Sequence, residues 1–331
     1  MYWPSWMYWR YTVLLVAVLA VPGVGWPEAA VGAGEPLECT HEIPPSRDFA
    51  ETVRISHPAA TAFMPASAER DGTVLLVWQE TTRSGARVAY ARVRQGCIEP
   101  AHWIEDPLPN PRRPAVAATA SGWVVAYEVQ DPPEPIVRAV ELDPSGGVVQ
   151  GPVTVSEPGR VGSRVRLAAF GDDVVFAWTD VANHWIARRG PVEEFSARQV
   201  GTELEAPGLV NFPRVLVDGD GRIYLAYRDG GPERTDYEIL VVVREVGEEF
   251  GEPLNLSRSS GLMSDDVALW LQDDVDVGLV WVEQDDERAE TFEVVHATLS
   301  SALEIGEPQR FGSLGMASFK PSVTTGFATV W

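Results

Sequence analysis

Six stretches of the chain set its fold: VLLVWQE (74–80), WVVAYEV (123–129), VVFAWTD (174–180), IYLAYRD (223–229), VGLVWVE (277–283) and FATVW (327–331). Each is an apolar, largely β-branched run ending in an aromatic, and the first five carry an acid one or two residues further on. The aromatics are Trp78, Tyr127, Trp178, Tyr227, Trp281 and Trp331, spaced by 49, 51, 49, 54 and 50 residues. A fixed period near fifty with strand patterning is the signature of a β-propeller, in which each repeat is one small sheet stacked around an axis.

Each period reads internally as a four-stranded blade. In the second, PAVAAT (114–119) is strand a, WVVAYEV strand b, IVRAVEL (136–142) strand c and VVQGPVTVS (148–156) strand d. In the fourth, RVLV (214–217), IYLAYRD, EILVVVREV (238–246) and EPLNLS (252–257) repeat that order. Gly- and Asp-containing turns between these runs are what hairpins require. The expected architecture is all-β, a single six-bladed β-propeller over residues 34–331. The sixth period holds only strands a and b, so residues 36–56 are expected to complete the last blade, with EPLECTHEI (36–44) as strand c and FAETVRIS (49–56) as strand d. Closure of that kind removes open strand edges. The alternative is that the chain is a fragment.

The first 33 residues read as a signal peptide. Arg10 precedes the apolar run TVLLVAVLA (12–20), then come Pro22 and Gly23 and a small-residue exit at Val31-Gly32-Ala33. The run is too short for the roughly 20 residues that span a bilayer. Export to the periplasm or outside the cell follows, with no membrane insertion after cleavage. An oxidising compartment permits a bridge between the two cysteines, Cys39 and Cys97, which in this reading would lock the closing blade to the first. Two separate thiols are the alternative.

The 331 residues carry 26 basic and 48 acidic side chains, a net charge of −22, which disfavours nucleic acid or an anionic membrane as partner. A single lysine, Lys320, among many arginines reflects a GC-rich genome. No CxxC, HExxH or Gly-x-Ser-x-Gly motif is present, so no metal-ligand or hydrolase-elbow pattern can be assembled. Calcium, which takes six to eight oxygens, is the only cofactor considered. Its candidate turns are Asp218-Gly219-Asp220-Gly221 and Asp273-Asp274-Val275-Asp276, both of which also read as ordinary Asp/Gly turns. His57 and His184 lie in loops where a general base would be placed.

The strand pattern hydrophobic–x–hydrophobic–Trp–x–Asp resembles that of sialidase-like and BNR-repeat propellers. Their Asp-box at c–d turns is not intact here, and only Asp143-Pro144-Ser145-Gly146-Gly147 is similar to it. In such proteins the d–a and b–c loops share the functional face. On that face Arg113, Arg164 and Arg214 are expected to converge from three successive blades, a set suited to holding a carboxylate bidentately. Glu80, Asp180, Asp229 and Glu283 stand at the ends of strands b as the accompanying acids. The resemblance implies a Tyr–Glu nucleophile pair, yet no tyrosine follows Tyr237. The alternative for the arginines is structural pairing with loop carboxylates. Two function classes follow: an exported, monomeric, non-catalytic propeller that binds a glycan, a small acidic ligand or another envelope or extracellular protein; or a sialidase-like hydrolase or lyase acting on an acidic sugar.

Overall fold

A computed structural model describes residues 39–42, 54–131, 134–156, 162–180, 183–189, 195–200, 211–229, 237–258, 263–272, 276–284, 291–315, 322–324 and 327–329. Among them every regular element is a strand. The first sheet holds β1 (His41–Glu42), β2 (Thr61–Arg70), β3 (Thr73–Thr82), β4 (Gly85–Arg94), β5 (Cys97–Ile98) and β6 (His102–Trp103). The second holds β7 (Pro111–Ala118), β8 (Trp123–Asp131), β9 (Glu134–Leu142) and β10 (Val148–Thr154). The third is β11 (Ser163–Phe170), β12 (Asp173–Asp180), β13 (Asn183–Arg189) and β14 (Phe195–Val200). The fourth is β15 (Asn211–Val217), β16 (Ile223–Asp229), β17 (Glu238–Arg244) and β18 (Leu254–Asn255). The fifth is β19 (Met263–Gln272), β20 (Asp276–Gln284), β21 (Thr291–Leu299) and β22 (Gln309–Gly315), and a final pair joins β23 (Ser322–Thr324) to β24 (Phe327–Thr329).

All pairings are antiparallel meanders, and the first strands of successive sheets pack in series, β2 on β7, β7 on β11, β11 on β15, β15 on β19 and β19 on β23. Meandering sheets joined through their first strands form a β-propeller, with those strands lining the axis. The hydrophobic core is correspondingly a stack of layers between neighbouring sheets. Leu75, Val88, Val125 and Tyr127 fill the layer between the first and second. Val124, Val137, Phe176 and Trp178 fill the next. Val175, Leu225 and Tyr227 follow, then Tyr224, Ile239, Leu279 and Trp281. Tyr127, Trp178, Tyr227 and Trp281 therefore each face the sheet before their own, and side-chain alternation turns the next residue toward the sheet after it.

Two expectations are corrected. Four complete four-stranded blades are present among the described residues, not six: the first sheet has its outer strand split into β5 and β6 and gains β1, and the last is only a pair. The described part of the N-terminal segment lies elsewhere than at the last blade. Its β1 pairs with β5 at the outer edge of the first sheet, His41 opposite Ile98 and Glu42 opposite Cys97, while residues 54–56 are not strand. Cys39 and Cys97 do form a disulfide, with Cα atoms 5.5 Å apart, but it ties the N-terminal segment to the sheet that already contains Cys97. It locks an edge, not the ring. Residues 1–33 lie outside the described residues, and no described helix is long and apolar enough to cross a membrane.

Candidate functional site

The acids at the ends of strands b are buried structural groups. Glu80 is fully buried and accepts from the His57 backbone N–H at 2.8 Å, the Trp78 indole at 3.0 Å, the Trp103 indole at 3.3 Å and Arg87 at 2.8 and 3.0 Å. Burial alone would raise its pKa, but these donors together hold it below the usual carboxylate value. Glu283 repeats the arrangement, taking the Trp281 indole at 2.8 Å and Arg310 at 2.6 Å. The aromatic-x-acid signature is thus a local clamp. Residues i and i+2 share a face, and the indole N–H pins the carboxylate two positions on. Where the second repeat has Val129 at that place, Tyr127 donates to Asp106 at 2.6 Å, and Asp106 also pairs with Arg138 at 3.0 Å. Asp229 is likewise buried, and the side chain of Asp180 lies outside the described residues. Glu80, Asp229 and Glu283, expected as the acids that accompany the arginines, are all buried.

The axis-facing strands carry the more chemical arrangement. In all five sheets the first strand has a bulge at one place, between Phe63 and Ala66, Arg112 and Ala115, Ser163 and Arg166, Asn211 and Arg214, and Asp265 and Ala268. Two residues there oppose one on strand b. The first of the two adopts left-handed backbone in Met64, Arg113, Arg164 and Asp266, with φ between 45° and 59°. Such conformations are uncommon for non-glycine residues and cluster at sites that hold them for a purpose. The preceding sheet supplies an anchor: Gln79 accepts from the Arg113 N–H at 3.2 Å, and Glu128 accepts from the Arg164 N–H.

This register separates the expected triad. Arg113 and Arg164 occupy the bulge position, whereas Arg214 stands two residues further on, where the third sheet has Arg166. Glu128, fully buried, pairs with Arg113 at 3.2 Å and Arg112 at 3.3 Å. Arg214 lies 3.9 Å from Asp266 and donates to the Pro213 carbonyl at 3.2 Å. Arg166, which the spacing analysis missed, sits among them and donates to the Val165 carbonyl at 2.8 Å. Burial and the charge of Arg214 push its guanidinium down to about 9, with Arg113 adding to the effect and Glu128 and Asp266 opposing it. It remains charged at neutral pH. Arg113, Arg166 and Arg214 therefore share one electrostatic neighbourhood with Glu128 and Asp266, in a chain whose net charge is −22.

Other candidates resolve into turn chemistry. Asp218 accepts from the Asp220 and Arg222 N–H groups at 3.0 and 2.9 Å and from the Tyr224 hydroxyl at 3.2 Å. Both its oxygens serve the turn, whereas residues 273–275 lie outside the described residues. The His57 Nδ1 accepts from the Ala59 N–H at 3.2 Å, and the side chain of His184 is outside the described residues. Asp143 gathers Ser145 N–H, Ser145 hydroxyl and Gly147 N–H at 2.7, 2.6 and 2.9 Å, so the turn most like an Asp-box is built by its own carboxylate.

No family model matches the chain, and no curated protein matches it. Among solved structures it is similar to a protein of unknown function from Dyadobacter fermentans, at 10% identity and a TM-score of 0.52 over 76% of this chain and 94% of that one. A GH43 endo-arabinanase from Bacillus licheniformis gives 12% identity and a TM-score of 0.43, over 73% and 96% of the two chains. A thermostable family-43 glycoside hydrolase gives 12% and 0.45, over 79% and 97%.

Proposed function

We propose that this chain is an exported β-propeller that binds a small carboxylate-bearing ligand, an acidic sugar or glycan end, at the axis-facing cluster of Arg113, Arg166 and Arg214. One observation carries the reading: Arg113, Arg166 and Arg214, from three successive sheets, share one electrostatic neighbourhood with Glu128 and Asp266. Arginine forks match carboxylate geometry.

A second reading is cleavage of a glycosidic bond at the same cluster, with Glu128 and Asp266, each paired with one of the arginines, as the carboxylates available to it. Calcium has no part in either reading. The test is a thermal-shift panel of glucuronate, sialate, acetate, neutral oligosaccharides and calcium, with turnover assays on whatever binds. A ligand at a hundred times its Kd stabilises by about 2.7 kcal/mol, a shift of several degrees. Shifts confined to acidic sugars support the proposal. Equal shifts with neutral sugars, or none with any carboxylate, defeat it.

A further inference from the structure

The bulge positions around the axis are not chemically uniform. The second and third sheets place arginines there, Arg113 and Arg164, while the first places Met64, preceded by Phe63. Both apolar side chains are solvent-exposed, Phe63 at 37% and Met64 at 45%, on a strand with no fully buried residue. They are tied to the arginine side. Phe63 is paired with Gln79 in the ladder, and the Gln79 side chain accepts from the Arg113 N–H at 3.2 Å. Across the axis the fifth sheet places Asp266 at the same position.

Two neighbouring apolar side chains left in water gain by being covered. Met adds an adaptable, polarisable surface. The guanidinium cluster next to it recruits an anion, and Asp266 on the far side disfavours a second negative charge. We infer that the ligand of this site is an amphipathic monoanion, one carboxylate joined to an apolar substituent that lies on Phe63 and Met64. The inference rests on the carboxylate reading above and names the class of molecule more narrowly than it does.

The experiment is calorimetric titration of the full chain with glucuronate, phenyl β-D-glucuronide and phenyl β-D-glucoside. Phenyl glucuronide is expected to bind about tenfold more tightly than glucuronate, the gain of burying part of one aromatic ring. The glucoside, lacking the carboxylate, should bind at least tenfold more weakly than the glucuronide. Met64→Asn, which suits left-handed backbone and sits on the surface, should abolish the phenyl advantage while leaving glucuronate affinity unchanged. Phe63→Ser should act in the same direction. Equal affinities for the two glucuronic compounds, unaltered by either substitution, would overturn this inference and leave the carboxylate site standing. Absence of binding by both would overturn the carboxylate site and the inference with it.

Discussion

At the scale of single residues, the recurring aromatic and acid form one device. Trp78 with Glu80, and Trp281 with Glu283, each place an indole N–H on a carboxylate that no water reaches. Charge-assisted bonds in such places are strong, and removing the charge leaves donors unsatisfied. Glu80→Gln should therefore destabilise the fold by about 2 kcal/mol or more, read from the midpoint of a denaturant melt. The pH dependence follows from the direction of the shift. Glu80 and Asp143 both have folded pKa values below their ordinary ones, Glu80 despite its burial and Asp143 chiefly through the Ser145 hydroxyl. Their contributions are complete above about pH 4.5 and are lost as the pH falls through the folded values. Wild-type stability should decline below that point, and Glu80→Gln should flatten the decline. The aromatic positions were legible in the sequence because a two-residue alternation and a fifty-residue period both mark them. Their partnership with the acids was not, because the same letters read equally as a solvated loop end.

At the scale of elements, the bulge in the first strand of each sheet decides which side chains meet at the axis. Arg164 has φ of 59°, a conformation that costs a β-branched side chain most. Arg164→Val should destabilise by about 1–2 kcal/mol more than Arg164→Gly, although both delete the same guanidinium. Equal effects in chemical denaturation would mean that the side chain, not the backbone, matters there. Spacing along the chain aligned Arg214 with Arg113 and Arg164, but the ladder register sets Arg214 two residues past the bulge position, where the third sheet has Arg166. A bulge leaves the apolar pattern of the flanking residues intact, so periodicity does not register it. The Met64-Pro65, Arg113-Pro114 and Phe212-Pro213 dipeptides are its trace in the sequence, since proline is tolerated in a strand where no ladder donor is needed.

For the molecule as a whole, the order of sheets and the core layers between them follow directly from the repeat, whereas the path of the N-terminal segment does not. Strand-like residues near position 40 fit any free edge of similar pattern, and the edge they use is that of β5. The Cys39–Cys97 disulfide closes a separation of 58 residues, for which the chain-entropy model gives roughly 4 kcal/mol. A Cys39→Ala/Cys97→Ala variant should lose stability of that order in urea melts while keeping its sheet signal, because the bridge secures an edge and no blade depends on it. The account stands most squarely on the arginines at the axis. Desolvation and the neighbouring charges of Arg214 and Arg113 disfavour the charge on Arg166, so an apolar group of similar size in its place removes that cost. The most direct test is calorimetric titration of glucuronate into the wild type and Arg166→Met, with thermal melts of both. The account predicts saturable binding in the wild type and at least tenfold weaker binding in a variant that melts no lower. Identical affinities in the two proteins, or no binding by the wild type, would contradict it.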